Sequence, residues 1–285
     1  MSVEFVAEVS SNHHRDLARC LAFIDSAASI GSSAVKFQLF RIDELFAPEA
    51  FVHNPELRRR AAWELPAEFL PALADRCRAR GVRFGCTPFH LDGVDTLVPH
   101  VDFLKIASYE LLRTDLLRHC AASGKPVVLA TGMATLDEIA QAVETLRTAG
   151  CRDLTLLHCV SGYPAPIGEC NLAAIHTIAR TCGCPVGWSD HSVSPAVIFR
   201  AIHRWGASMI EYHLDLDGTG DEFAAGHCWL PDQMRDVIAA VRAGEGADGS
   251  GEKMPAPSER GDREWRADPG DGLRPLRPTR AGLVR

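Results

Sequence analysis

Three absences narrow the identity of this 285-residue chain before any motif is considered. It lacks a surplus of positive charge: the formal net charge is -7, whereas a general nucleic-acid binder needs a basic surface to displace counterions from phosphates. It lacks any apolar run near the ~20 residues that cross a bilayer, which predicts a soluble protein with no membrane partner. It also lacks a signal-peptide pattern and an even framework of cysteine spacings, although ten cysteines are present. Reduced thiols in a cytoplasm are therefore expected. Cys182 and Cys184 make only a C-x-C, too little for a zinc site without further ligands.

What is present is an ordinary globular composition, 46% hydrophobic and 24% charged. Short β-type runs alternate with amphipathic helical runs eight times. The strands are predicted at 3–9, 34–40, 82–88, 103–108, 127–131, 154–160, 186–190 and 209–214. Helices are predicted at 16–30, 67–80, 92–98, 114–123, 136–149, 172–180, 195–205 and 231–243. Gly31, Gly81, Gly124, Gly150 and Gly206 stand just past helical runs, where a left-handed cap favours glycine.

Such alternation implies parallel strands with right-handed crossovers, in an open sheet or a closed barrel. The turn after the first strand reads SSNHHRD and carries no G-x-G-x-x-G, which removes the main signature of a dinucleotide-binding sheet. Eight units predict an α/β fold of the (β/α)8 TIM-barrel type over residues 1–244. Residues 41–64 form a long connection placed to cover the barrel mouth. Residues 245–285 are rich in Gly, Pro, Arg and acidic residues without a sustained period, and an extended irregular tail is expected there.

Active sites of such barrels are built at the C-terminal ends of the strands. Every predicted strand here ends in polar residues: Glu8 with Asn12, His13 and His14; Lys36 and Gln38; Thr87; Lys105, Ser108 and Glu110; Thr131; the HCVSGYP segment; Ser189 and His191; Glu211 and His213. One such lysine alone would be read as snorkelling to solvent, and one histidine as a hydrogen-bonded loop residue. Convergence on one rim favours a site. His191 and His213 end neighbouring strands and can share a divalent cation, Mn2+, Mg2+, Co2+ or Zn2+, with Glu211 near enough to complete the shell. Lys36 and Lys105, with hydroxyls at Thr87, Ser108, Thr131 and Ser189, predict a positive pocket for a small phosphorylated acid.

The segments AEVSSNHHRD, AVKFQLF, GCTPF, LKIASYEL, LATGMATLDEI, LLHCVSGYPAP, VGWSDHS and IEYHLDLD follow one another in order. Together they resemble the N-acetylneuraminate (sialic acid) synthase family over residues 3–243. The resemblance implies metal-dependent condensation of phosphoenolpyruvate with an open-chain N-acylmannosamine-like aldose, Mn2+ or Mg2+ being the metals most expected, to give a 2-keto-3-deoxy nonulosonate and phosphate. It implies His191 and His213 as metal ligands beside Glu211, and Lys36, Thr87, Lys105, Ser108 and Ser189 as phosphoenolpyruvate contacts. Ser161 matches another polar contact of that substrate, Glu8, Gln38 and Tyr163 match groups around the sugar, and Glu110 matches an acidic position. Glu8, Glu110 and Glu211 all stand as candidate bases. A homodimer is also implied.

The chain departs from the family pattern in four places. The resemblance stops before the small antifreeze-like domain that members commonly carry, and the tail resembles the linker preceding it. Gly226 stands where an aspartate contacts the sugar, with Asp217, Asp221 or Glu222 as substitutes. Ala130 replaces a serine, and Tyr212 replaces a basic residue. Two other readings fit the barrel, a metal-dependent aldolase or lyase and a non-catalytic binding paralogue.

Overall fold

A computed structural model describes residues 3–283. Eight parallel strands close into a barrel in chain order, with the last pairing back onto the first. They are β1 (Glu4–Glu8), β2 (Ala34–Leu39), β3 (Arg83–Pro88), β4 (Phe103–Ile106), β5 (Val127–Ala130), β6 (Leu154–Cys159), β7 (Val186–Asp190) and β8 (Met209–His213). This is the (β/α)8 barrel that the alternation predicts. The fourth strand stops at Ile106, short of the expected 108, because Ser108–Glu110 coils into a 3-10 turn.

The surrounding helices are Leu17–Ile30, Leu70–Arg80, Leu91–Leu97, Thr114–Ala122, Leu136–Thr148, Ala174–Cys182, Pro195–His203 and Pro231–Glu245. Asp16 starts the first by accepting the Arg19 amide proton at 3.0 Å, which satisfies one of the donors that a helix start leaves open. The second begins later than predicted because Ala67–Phe69 is a separate 3-10 turn. The five glycines expected past helix ends all have positive φ, from 70 to 101°.

Strand alternation divides the barrel's side chains between two cores. The larger lies between strands and helices and includes Phe5, Phe37, Trp188 and Tyr212. The smaller fills the barrel interior with Val6, Ala34, Phe103, Val128, Ala130, Leu157, Cys159 and Met209. Packing inside is tight enough to dictate glycine at 85, where an added Cβ would come within 2.1 Å of the Phe103 ring. On β8, Met209 belongs to the interior whereas Ile210 and Tyr212 face the helices. The Tyr212 hydroxyl meets that of Ser32 at 2.6 Å, so the replacement of a basic residue by Tyr212 acts on the outer layer.

The connection after β2 is ordered into helices Ile42–Leu45 and Pro48–His53 and a 3-10 segment, Pro55–Trp63. Compactness divides the chain into one unit up to Ala243 and a small one from Gly244. The second is less irregular than its composition predicts. It ends in the helix Arg277–Leu283, and the Asp268 carboxylate accepts the backbone protons of Gly270 and Arg277, both at 2.9 Å. All ten cysteines are unpaired, and no helix among the described residues is long and apolar enough to cross a membrane.

Candidate active site

Parallel register sets the candidate residues level with one another. Glu8 pairs with Lys36 on one side and with His213 on the other, Gln38 pairs with Thr87, and Ser189 pairs with Glu211. These positions open onto a cavity of about 630 Å3 at the C-terminal ends of the strands. Glu8, Lys36, Gln38, Thr87, Lys105, Ser108, Glu110, Tyr163, Ser189, His191, Glu211 and His213 all line it.

Two of the expected residues do not line it. The Thr131 hydroxyl donates to the Leu157 carbonyl at 3.1 Å, tying β5 to β6. Ser161 sits behind the wall against Gly132, where a Cβ would lie 2.3 Å from its hydroxyl, and that buried oxygen has no hydrogen-bond partner.

The cavity floor is a lattice of paired charges. Lys36 forms an ion pair with Glu8, donates to the Thr87 hydroxyl at 3.1 Å and stands 3.9 Å from Glu211. Glu211 lies 3.6 Å from the Lys105 ammonium and accepts the Ser189 hydroxyl at 2.9 Å. Gln38 donates to the other Glu8 oxygen at 2.9 Å. The pocket is thus balanced in charge where a positive one was expected, because each lysine is matched by a buried carboxylate.

These contacts fix the protonation states. Burial raises the Glu211 pKa, but Lys105, Lys36 and the Ser189 hydrogen bond outweigh it and bring it down to about 2. Burial lowers the Lys36 pKa, and Glu8 and Glu211 reverse this so that the ammonium is retained. Glu110 behaves oppositely. Burial raises its pKa to about 7 against the pull of Lys105 and Arg113, and one of its oxygens is buried with no hydrogen-bond partner.

Above the floor, the His191 and His213 rings stand 5.4 Å apart, centre to centre. His191 uses Nδ1 on the Val160 carbonyl at 2.8 Å, and His213 uses Nδ1 on Glu222 at 2.7 Å. Each ring therefore keeps Nε2 uncommitted, with its orientation fixed from behind, which is how metal-ligating imidazoles are commonly held. Burial, with His213 adding to it, lowers the His191 pKa to about 3. Burial also lowers that of His213, but Glu222 and Cys228 outweigh it and hold the value well above 6.5. A neutral imidazole beside a spot that favours positive charge fits a divalent cation. Glu211, turned to the lysines, is not placed to complete its shell.

The segment after β8 supplies what sequence reasoning missed. The short helix Asp221–Ala224, capped by Ala225, is followed by Gly226, whose φ of 93° reverses the chain and returns His227 and Cys228 to Glu222. Glu222 and His227 line the cavity, whereas Asp217 is tied to Arg19 at 2.9 Å and Asp221 is exposed. One Glu222 oxygen accepts the hydroxyls of Ser10 and Ser11 at 2.5 and 2.7 Å. Asp190, fully buried, accepts the indole protons of Trp188 and Trp229, both at 3.0 Å, and so fixes this segment to β7. The connection after β2 adds Phe46, Arg60 and Trp63 to the outer wall. Length marks that connection as a cover, but nothing in it announces which side chains face inward.

The sequence model of the NeuB family matches residues 23–253. The chain belongs to this family. NeuB-family proteins are phosphoenolpyruvate-condensing synthases of nonulosonic acids and use a divalent metal, so this chain is an enzyme of that class. It is 33% identical to the N,N'-diacetyllegionaminic acid synthase of Legionella pneumophila, over 91% of this chain and 77% of that protein. It is 31% identical to the spore coat polysaccharide biosynthesis protein SpsE of Bacillus subtilis, over 85% of this chain and 68% of that protein. Among solved structures, the N-acetylneuraminic acid synthetase of Leptospira borgpetersenii, determined with citrate, superimposes with a TM-score of 0.81 at 30% identity, covering 95% of this chain and 93% of that one.

Proposed function

We propose that this NeuB-family chain joins phosphoenolpyruvate to an N-acylated aldose of the mannosamine type, giving a nine-carbon 2-keto-3-deoxy acid and inorganic phosphate. The observation that carries the reading is the opening of the lysine–carboxylate floor and the His191–His213 pair onto one cavity. The names of the relatives, which make legionaminic and neuraminic acids, support the product class.

Lys36 and Lys105, with the hydroxyls of Thr87, Ser108 and Ser189, take the phosphate and carboxylate of phosphoenolpyruvate through charge-assisted hydrogen bonds. Glu8 and Glu211 hold both ammonium groups in place before the substrate arrives, so little ordering remains at the moment of reaction. Gln38 and Tyr163 face the aldose. His191 and His213 would hold the divalent metal, which when bound would supply Lewis-acid chemistry at the acceptor aldehyde. C3 of phosphoenolpyruvate forms the new bond to the aldehyde carbon, whose oxygen becomes a hydroxyl by taking a proton. Water adds at C2, and phosphate leaves as the C2–O bond breaks. Glu110, balanced between its two protonation states near neutral pH, is the group best matched to move a proton in these steps.

The test is phosphate release from phosphoenolpyruvate with Mn2+, screened over a panel of aldoses that includes N-acetylmannosamine and 6-deoxy diacetamido sugars, with mass spectrometry of products. The expected result is release with one acceptor and a product mass equal to acceptor plus pyruvate. Release that ignores the acceptor, or none across the panel while metal and phosphoenolpyruvate still bind, would overturn the reading.

A further inference from the structure

A second cavity, of about 270 Å3, lies at the root of the connection after β2, between the residues that enter that connection, Phe40 and Arg41, and those that leave it, Glu64 and Leu65. Phe40 lines both this cavity and the larger one. His90, only 3% exposed, forms part of the smaller cavity's wall. Its Nδ1 accepts the Gly93 amide proton at 2.9 Å and so caps the helix Leu91–Leu97. An imidazole that accepts through Nδ1 carries its own proton on Nε2. A ring protonated at both nitrogens, facing Asp92 Oδ1 at 2.7 Å from Nδ1, would leave Nε2 a donor as well. That Nε2 is buried without a hydrogen-bond partner among the described residues, and an unmet buried donor is costly.

The charges around it are already matched. Arg15 gives Nη1 to the Ala61 carbonyl at 2.9 Å and stands 3.7 Å from Glu64, whose other oxygen accepts the Ile42 amide proton at 2.7 Å. Arg41 lies between Glu44 and Asp92, at 2.6 and 3.0 Å. Each of these carboxylates faces a guanidinium, so an incoming anion meets no uncompensated negative charge, while the His90 donor still needs an acceptor. We infer that the cavity binds a small carboxylic acid with an apolar body. The carboxylate accepts from Nε2 of His90 and pairs with the Arg15 guanidinium, and the body lies against Leu39, Phe40, Leu65 and Pro66. Such a ligand touches both ends of the connection that covers the active-site cavity and braces it there, which makes the site a place for an effector. The inference goes beyond the synthase reading, and its test uses no turnover.

The full chain is titrated by calorimetry with benzoate and with benzamide, which has a similar shape and no charge. Expected is one equivalent of benzoate, with benzamide about tenfold weaker or more, the worth of a charge-assisted contact. His90→Asn keeps a side-chain oxygen for the Gly93 amide, since asparagine is a preferred helix cap, but has no Nε2. It should weaken benzoate about tenfold or more and keep the parent's melting temperature, whereas Lys105→Met should leave benzoate affinity unchanged. The site is overturned if benzoate does not bind, if benzamide binds as well, or if His90→Asn binds benzoate like the parent. A loss confined to Lys105→Met would also overturn it, by putting the anion on the floor of the larger cavity. Hydrogen exchange on the parent needs no variant: residues 41–67 should exchange more slowly with benzoate bound, and unchanged exchange there would overturn the effect on the cover.

Discussion

The floor and the wall of the cavity are built in different ways. The floor stands on strand ends, where barrel register fixes each side chain against its neighbours: Lys36 beside Glu8, and Glu211 beside Ser189. The wall after β8 stands on a short helix and a reversed turn, held by side chains distant in sequence, Ser10, Ser11 and Asp190. Rigid strands hold one arrangement of side chains, whereas a loop can be rebuilt without disturbing the barrel. On the proposed reading, phosphoenolpyruvate meets the floor and the wall is the part open to change.

The sharpest way to break the contrast is Lys36→Met. It leaves Glu8 and Glu211 buried without their shared cation, and loss of one partner from a buried pair costs roughly 3–5 kcal/mol. Denaturant unfolding should show a loss of that order, and a loss below about 1 kcal/mol would mean that the floor is not a coupled lattice. Glu110 tests the floor through pH. Its folded pKa, about 7 against an ordinary 4.5, means that the folded state keeps its proton over a window in which the unfolded chain has released it. Stability from this group is complete below about 4.5 and declines by up to roughly 3 kcal/mol as pH rises to about 7. Glu110→Gln should flatten that decline in melting temperatures taken across the window. An unchanged slope would show that another group is responsible.

Lys105→Met should weaken phosphoenolpyruvate binding by roughly 1.5–3 kcal/mol, the worth of one charged hydrogen bond, as read by calorimetry. Equal affinity in mutant and parent would detach Lys105 from the substrate. On the wall, Glu222→Gln should lower divalent-metal affinity about 10- to 100-fold while leaving phosphoenolpyruvate affinity in place, because Glu222 acts through His213. If the substitution weakened both ligands equally, floor and wall would be one unit.

The same contrast decides what the sequence makes legible. Glu8, Lys36, Lys105, Glu211 and His213 are readable because each belongs to a periodic run whose end the alternation locates. Boundaries slip where a turn begins early, as Ser108 does in leaving β4. His227 and Cys228 are not legible, and Glu222 is only one of three acidic substitutes, because their approach to His213 depends on the left-handed turn at Gly226, which no periodicity encodes. The expected positive charge of the pocket failed for a related reason. Counting lysines finds Lys36 and Lys105, but only the register brings Glu8 and Glu211 against them. Thr131 shows the converse, a hydroxyl at the right height that is spent on a neighbouring strand.

Asp190 has a use outside chemistry. Its two oxygens each take one indole proton, from Trp188 on the barrel and from Trp229 one residue past Cys228. Unseating the segment after β8 would break the Trp229 bond and leave one Asp190 oxygen short of a donor inside the protein, a cost that falls on the open form alone. The carboxylate therefore acts as a latch that keeps the loop closed against the barrel.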